Sequence, residues 1–362
     1  MRRPSRWWTP APLLLGVVGL ALTRGELFLI AGLLGSVALW RPRLAWYGLV
    51  LVLTVELGTR ISLFGVNGLR WSKLQSLQDV GIGALLEPAR DPEMIWEWRP
   101  HLDRELEFVP FRTNSHGMVD DELPLAKPDD TWRVGVLGAS FTLPQGVAHE
   151  DAFHTLVEDE LAGRSPRVEL LNFSTAAMDL RQAVAHARHK AVPFDLDALV
   201  VCFPLSGLRE EWRYSEPYEP PLPDQAFFSS FFIRFAFGPL TDLRELWDPK
   251  SDDDVGLRPS AALVGDLAQI AKEHDVRVAI VVLIRMVSYD RAEIERAAAQ
   301  HGIPVIAVGE EFAGDGCAHP SGLCTPDIIY PLNAHPGPLT QAVLAEQLTP
   351  ALLREGLLPR SP

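Results

Sequence analysis

Cysteine is scarce: the 362 residues hold three, Cys202, Cys317 and Cys324, with no CxxC and no Cys/His ligand spacing, which argues against a structural zinc site. Basic charge is scarce outside the N-terminus. Residues 1–66 carry seven Arg against Glu26 and Glu56, a net +5, so the formal charge of −14 leaves −19 for the remainder. A domain this acidic lacks the Lys/Arg clusters that phosphate recognition demands, which excludes nucleic acid as a partner. No internal repeat or low-complexity tract is present, so solenoid and fibrous architectures are excluded too.

The longest apolar runs lie at the start. "WWTPAPLLLGVVGLAL" (7–22), "LFLIAGLLGSVALW" (27–40) and "LAWYGLVLVLTVEL" (44–57) follow one another, and three such runs are not a signal peptide. Each falls short of the roughly 20 residues that span a bilayer, although Trp7, Trp8, Trp40 and Trp46 sit where an interfacial aromatic belt extends them. Residues 1–65 are therefore expected to form a membrane anchor of about three spans, the alternative being a hairpin plus one interfacial helix. Arg2, Arg3 and Arg6 precede the first run and Arg41 and Arg43 separate the second from the third. The positive-inside rule then puts the N-terminus in the cytoplasm and everything past about residue 62 outside, at a bacterial inner membrane with the C-terminal domain on the periplasmic or extracellular side. Glu56 and Arg60 lie four apart near the outer end of the third run, as an interfacial ion pair or as a functional intramembrane group.

Residues 66–131 read as a connecting region with weak periodicity. From Trp132 on, apolar runs alternate with amphipathic stretches. Strands are expected at 132–138, 167–173, 197–203, 276–284 and 303–308, and helices at 150–162, 179–192, 258–274, 290–301 and 338–355. Near-continuous apolar strands between helices predict a parallel five-stranded sheet covered on both faces, a three-layer α/β/α domain over 132–357, with ligands at the C-terminal ends of the strands. The stretch 204–257 interrupts the rhythm and reads as a lid or insert. Its "AFFSSFFIRFAF" either covers an acyl group, contacts the bilayer or packs on the core.

"VLGASFTLPQGV" (136–147) is a buried strand that stops at Gly138 and delivers one hydroxyl, Ser140, to a loop. A Ser there is a helix cap or a nucleophile, and a nucleophile needs a base. His335, in a Pro/Gly loop just before the last helix, is the candidate base. Of the other histidines, His116, His149 and His154 read as structural or surface groups, and "HARHKA" puts His186 and His189 on one solvated helix face.

From about 105 to 355 the chain resembles the SGNH, or GDSL-like, hydrolases, in particular the membrane-anchored bacterial type. "RTNSHGMVDDELPLAKP" followed by "WRVGVLGASFT" is similar to the family's opening element, "VELLNFSTAAMDLRQA" to its second block, and "HPGPLTQAVLAEQL" to its final His-bearing block and helix. The resemblance implies a flavodoxin-like three-layer domain in which Ser140 attacks an ester carbonyl and His335 is the base. The oxyanion is then held by the backbone N–H groups at Ser140 and Ala177 and by the side chain at Ser206.

Several positions depart from the family pattern. Ala139 replaces an Asp, Ala177 a Gly, and Ser206-Gly207 an Asn-Asp pair; Asn333 stands where the family has the Asp that orients the His. Losing that carboxylate costs about 10⁴ in a serine-protease triad; some relatives work as a Ser–His pair, and Asp327 is a nearby acid. The resemblance thus implies either a serine esterase or acyltransferase acting on acyl esters of envelope glycans or lipids, or a scaffold whose catalysis has decayed and which binds or assembles. No cofactor and no metal are implied; protein partners are not visible in the sequence. Cys317 and Cys324 enclose six residues before His335, as a loop-stiffening disulfide or as two free thiols, and Cys202 reads as a buried hydrophobe.

Overall fold

The computed structural model describes residues 11–23, 26–74, 85–143, 145–176, 178–203, 230–233, 259–283, 291–312, 327–330 and 333–359. They fall in two compact units, one of residues 1–84, 220–253 and 330–332, the other of residues 85–219, 254–329 and 333–362.

In the first unit three apolar helices follow one another: α1 (Ala11–Thr23), α2 (Glu26–Ala38) and α3 (Pro42–Phe64), with the short α4 (Trp71–Leu74) beyond. With its 3₁₀ extension the third covers Pro42–Leu69, 28 residues long and apolar enough to cross a membrane. The described parts of α1 and α2 have 13 residues each, about 20 Å at 1.5 Å per residue, against a hydrocarbon core of about 30 Å. One helix of the expected three thus has the length of a span. The other two pack as a tight hairpin through Gly16 and Gly32: a Cβ on Gly16 would stand 2.6 Å from the Phe28 carbonyl oxygen, and one on Gly32 2.6 Å from that of Pro12.

The same unit buries two carboxylates. Glu56 pairs with Arg60 at 2.8 Å, as the spacing predicts, and both side chains are largely buried. Glu56 also accepts from the Ser230 hydroxyl (2.9 Å) and from the N–H groups of Phe231 (3.0 Å) and Phe232 (3.3 Å), while Glu26 accepts from the Ser230 N–H (3.0 Å). A turn of the 204–257 insert is thereby held among apolar helices, where its unpaired N–H groups need acceptors. Phe231 packs edge-on against Phe64 at 5.1 Å and lies under the Arg60 guanidinium. Of the three roles open for the aromatic run, these residues take packing, on the N-terminal helices.

The second unit carries the expected sheet. Its strands are β5 (Thr131–Gly138), β6 (Arg167–Asn172), β7 (Ala198–Phe203), β8 (Arg277–Leu283) and β9 (Val305–Val308), parallel in the spatial order β6-β5-β7-β8-β9. Leu137, Val201 and Ile280 face one layer formed by α6 (Leu180–His186), α7 (Ser260–His274) and α8 (Arg291–Gln300). Val136, Val200 and Val281 face the other, formed by α5 (Phe153–Glu160) and α9 (Pro338–Arg354). Both faces are covered, which is why these strands are apolar throughout. A capping box between Asp179 and Gln182 starts α6.

The region expected to connect is built into this unit from Leu85 on. It forms two hairpins, β1 (Leu86–Pro88) with β2 (Trp96–Trp98) and β3 (Asp103–Leu106) with β4 (Val109–Arg112). Two polar devices join it to the sheet. Arg133, fully buried in β5, binds Glu169 at 2.9 Å and donates to the carbonyls of Pro124, Leu125 and Phe194, so its charge is matched at every face. Asp120 accepts the N–H of Asn172 at 2.8 Å and Glu158 that of Leu170 at 2.5 Å. These donors lie two residues apart on β6, the edge strand, whose outer row of N–H groups the two carboxyls close.

Candidate active site

The sheet order places Ser140 where chain direction reverses across the sheet. β5 leads to β6 on one side and β7 on the other, and the crevice at that switch point lies off the C-terminal ends of the strands. β5 must stop at a glycine there, because a Cβ on Gly138 would collide with the Cys202 carbonyl and the Thr142 side chain. The chain then turns at once, with Thr142 N–H and Leu143 N–H both donating to the Ala139 carbonyl. The Thr142 hydroxyl donates to the Cys202 carbonyl at 2.6 Å and fixes the turn to β7. Ser140 stands half-buried in this turn.

His335 arrives from the far end of the chain on the short strand β11 (Asn333–Pro336), which follows β10 (Ile328–Tyr330) and feeds α9. Its imidazole packs edge-on against Phe141, ring centroids 5.4 Å apart. Phe141 is the residue after Ser140. Burial lowers the His335 pKa to about 4, which keeps the ring neutral and able to accept a proton near pH 7.

Asp327 caps the last helix. Its carboxylate accepts from the N–H groups of Leu339 (2.8 Å) and Thr340 (3.0 Å) and from the Thr340 hydroxyl (2.7 Å), at the N-terminus of α9. Asn333 is described for its backbone only, in β11. Ala177, Ser206, Cys317 and Cys324 lie outside the described residues. Cys202 is buried and free in β7, with burial raising its thiol pKa far from ionisation.

The histidines need one correction. His186 is not on a solvated face; it is fully buried, with Nε2 at 3.3 Å from the Trp96 carbonyl oxygen, and burial lowers its pKa to about 3. After it the helix widens into a π turn over Ala187–Ala191, so three residues on, His189 emerges beside Asp91 (3.4 Å) and Glu93 (3.7 Å). One potential ligand atom from each of these three lies within 4.8 Å of the others. Sequence spacing could not reveal this group because its acids are nearly a hundred residues upstream. His154 is also fully buried, 3.4 Å from the Asn172 amide.

Sequence reasoning also missed the floor behind the Ser140 loop. Loop 173–176, leaving β6, runs along the end of β5, with Phe173 N–H donating to the Val136 carbonyl (2.8 Å) and Thr175 N–H to that of Gly138 (3.2 Å). Behind it, the indole N–H groups of Trp98 and Trp96 donate to the Ser174 (3.0 Å) and Ala176 (3.1 Å) carbonyls. The alternation in "WEW" was the available signal: Trp96 and Trp98 are buried and Glu97 between them is half-buried.

No family model and no curated protein matches the sequence. Solved structures similar to the chain include TesA (17% identity, 62% of this chain and 99% of that one, TM-score 0.39). They also include the psychrotrophic esterase EstA from Pseudoalteromonas sp. (10%, 64% and 100%, 0.38) and the acetyl xylan esterase AlAXEase (12%, 61% and 99%, 0.37). With its second strand outside its first, Ser140 past the end of that first strand and His335 ahead of the closing helix, the C-terminal unit has the three-layer α/β/α fold that the resemblance to the SGNH, or GDSL-like, hydrolases implies.

Proposed function

We propose that this chain is a membrane-anchored, outward-facing serine esterase or O-acyltransferase acting on acyl esters of envelope glycans or lipids. The observation that carries the reading is the contact of His335 with Phe141, which brings a neutral imidazole to the turn holding Ser140. In the proposed cycle Ser140 Oγ attacks the ester carbonyl and gives its proton to His335. Collapse of the tetrahedral adduct breaks the ester C–O bond, and the leaving alcohol takes the proton back. Water, or a sugar hydroxyl in the transferase case, then attacks the acyl-Ser140 ester with His335 again as base, which regenerates the hydroxyl. The span at Pro42–Leu69 and the arginines flanking the first three helices support anchoring with the domain outside.

A second reading, a decayed scaffold that binds or assembles, is favoured by one observation: Asn333 stands where the resemblance calls for an orienting carboxylate. A fluorophosphonate probe separates the two. The full chain in detergent is treated beside Ser140→Ala; labelling of the parent and not the variant is expected. A folded parent that takes no label refutes the esterase.

A further inference from the structure

We propose that Asp91, Glu93 and His189 form a binding site for a divalent metal ion of the zinc class, one that fastens the β1–β2 hairpin to the end of α6. The two acids lie in the turn of the hairpin and the imidazole on the π turn that continues α6, all within the C-terminal unit. Such turns are frequent at functional sites. This one carries the chain from a histidine sealed in the core, His186, to one that meets the acids, His189. Among the described residues no other group of His, Cys, Asp and Glu converges in this way.

The distances decide what kind of contact this is. His189 Nδ1 is 3.4 Å from Asp91 Oδ2, and Nε2 is 3.7 Å from Glu93 Oε2. A protonated ring bound to two carboxylates would draw each to about 2.7–2.9 Å. A neutral ring has one N–H, so one of its nitrogens turns a lone pair toward a carboxylate oxygen. That arrangement is repulsive unless a cation stands between the two. Zinc binds imidazole nitrogen and carboxylate oxygen at about 2.0–2.2 Å, which makes the edge of its coordination tetrahedron about 3.3–3.6 Å, close to both separations.

The donor atoms are already gathered. One from each residue lies within 4.8 Å of the others. Asp91 Oδ1 accepts the Glu93 N–H at 2.9 Å, which ties the two acids into one turn and leaves Oδ2 to face the ring. Only one ring nitrogen can bind the ion, so one carboxylate has to turn toward it. Glu93, 56% exposed, has room to do so, and the Arg188 guanidinium, 3.9 Å away, is beyond hydrogen-bond reach of it. One nitrogen and two oxygens suit zinc better than calcium or magnesium, which take oxygen ligands in larger number. Asp91 and His189 also line a cavity of about 550 Å³ shared with Glu87, Glu97 and His116, so a fourth position is open to water or to a ligand from that side.

The test uses the full chain in detergent, stripped of metal by a chelator, then titrated with Zn²⁺ by calorimetry and with Co²⁺ by visible absorption. The parent is compared with His189→Ala, Asp91→Asn and, as a control, His274→Ala, an exposed histidine at the end of α7. Losing an outer partner of a metal ligand costs about 10–100-fold in affinity, and losing a ligand costs at least that. One equivalent of zinc is expected in the parent, bound at least tenfold more weakly by either site variant and unchanged by His274→Ala. The intense bands of four-coordinate Co²⁺ should appear in the parent and not in His189→Ala. Zinc should also raise the urea midpoint of the parent and not that of His189→Ala, and the zinc-free midpoint checks that each variant folds. A parent that binds no zinc, binding that both site variants leave unchanged, or the weak bands of six-coordinate Co²⁺ overturns the inference; the esterase reading stands in each case.

Discussion

The pair that closes the sheet edge should make a contribution to stability that falls as pH rises from about 4 to 8. Its sign is opposite to that of ion-paired carboxylates and to that of the buried His154, His186 and His335, whose lowered pKa values favour the folded state as pH rises toward about 6.5. Burial raises the Asp120 pKa to about 7 and the Glu158 pKa to about 8; the Asp121 charge raises Asp120 further, the Asp120 charge raises Glu158, and Glu169 adds to both. The N–H groups of Asn172, Asp121 and Leu170 and the Arg167 charge oppose these shifts without cancelling them. A raised folded pKa means that the native state keeps a proton which the unfolded chain releases near pH 4. Between those values the folded state binds more protons, so this contribution is full below about pH 4 and is lost by about pH 8. Each shift of about three units corresponds to ~4 kcal/mol. The Asp120 charge enters only the Glu158 shift, so the loss for the pair lies between one such shift and their sum, about 4–8 kcal/mol, a large part of the ~5–15 kcal/mol that holds a domain together. Urea unfolding followed by tryptophan fluorescence at pH 4.5, 6.5 and 8.5 measures it. Asp120→Asn and Glu158→Gln keep an acceptor oxygen for the β6 N–H groups but cannot ionise, so each should gain stability relative to the parent as pH rises from 4.5 to 8.5. Variants whose difference from the parent does not change with pH would refute the reasoning.

Two further outcomes follow from particular contacts. Arg133→Met leaves Glu169 buried without its partner and three carbonyls without a donor; a loss of ~3–5 kcal/mol is expected, read from the urea midpoint, whereas Arg112→Met, whose pair with Asp103 is exposed, should change it by under ~1 kcal/mol. A general base works unprotonated, so with His335 held near pKa 4 the phosphonylation rate at Ser140 should stay level from pH 7 down to about 5 and fall only below that; a fall centred near 6.5 would show an unperturbed imidazole.

The sequence by itself determined the layered domain. Five apolar runs spaced by amphipathic ones can bury both faces of a parallel sheet in few other ways, and the observed strands begin and end within about two residues of those runs. It also singled out Ser140 and His335 as candidates, because each is tied to a local device, a glycine-ended strand and a Pro/Gly turn before a helix. The tertiary structure alone decided what depends on distant partners. It set Asp327 at the N-terminus of α9, took His186 into the core ahead of a π turn, gave Glu56 a turn of the insert to bind, and placed Trp96 and Trp98 against loop 173–176. Hydrophobic periodicity is a local signal and survives in one dimension. A buried polar group is satisfied by whichever donor or acceptor the fold brings within ~3 Å, and no spacing along the chain records which that will be.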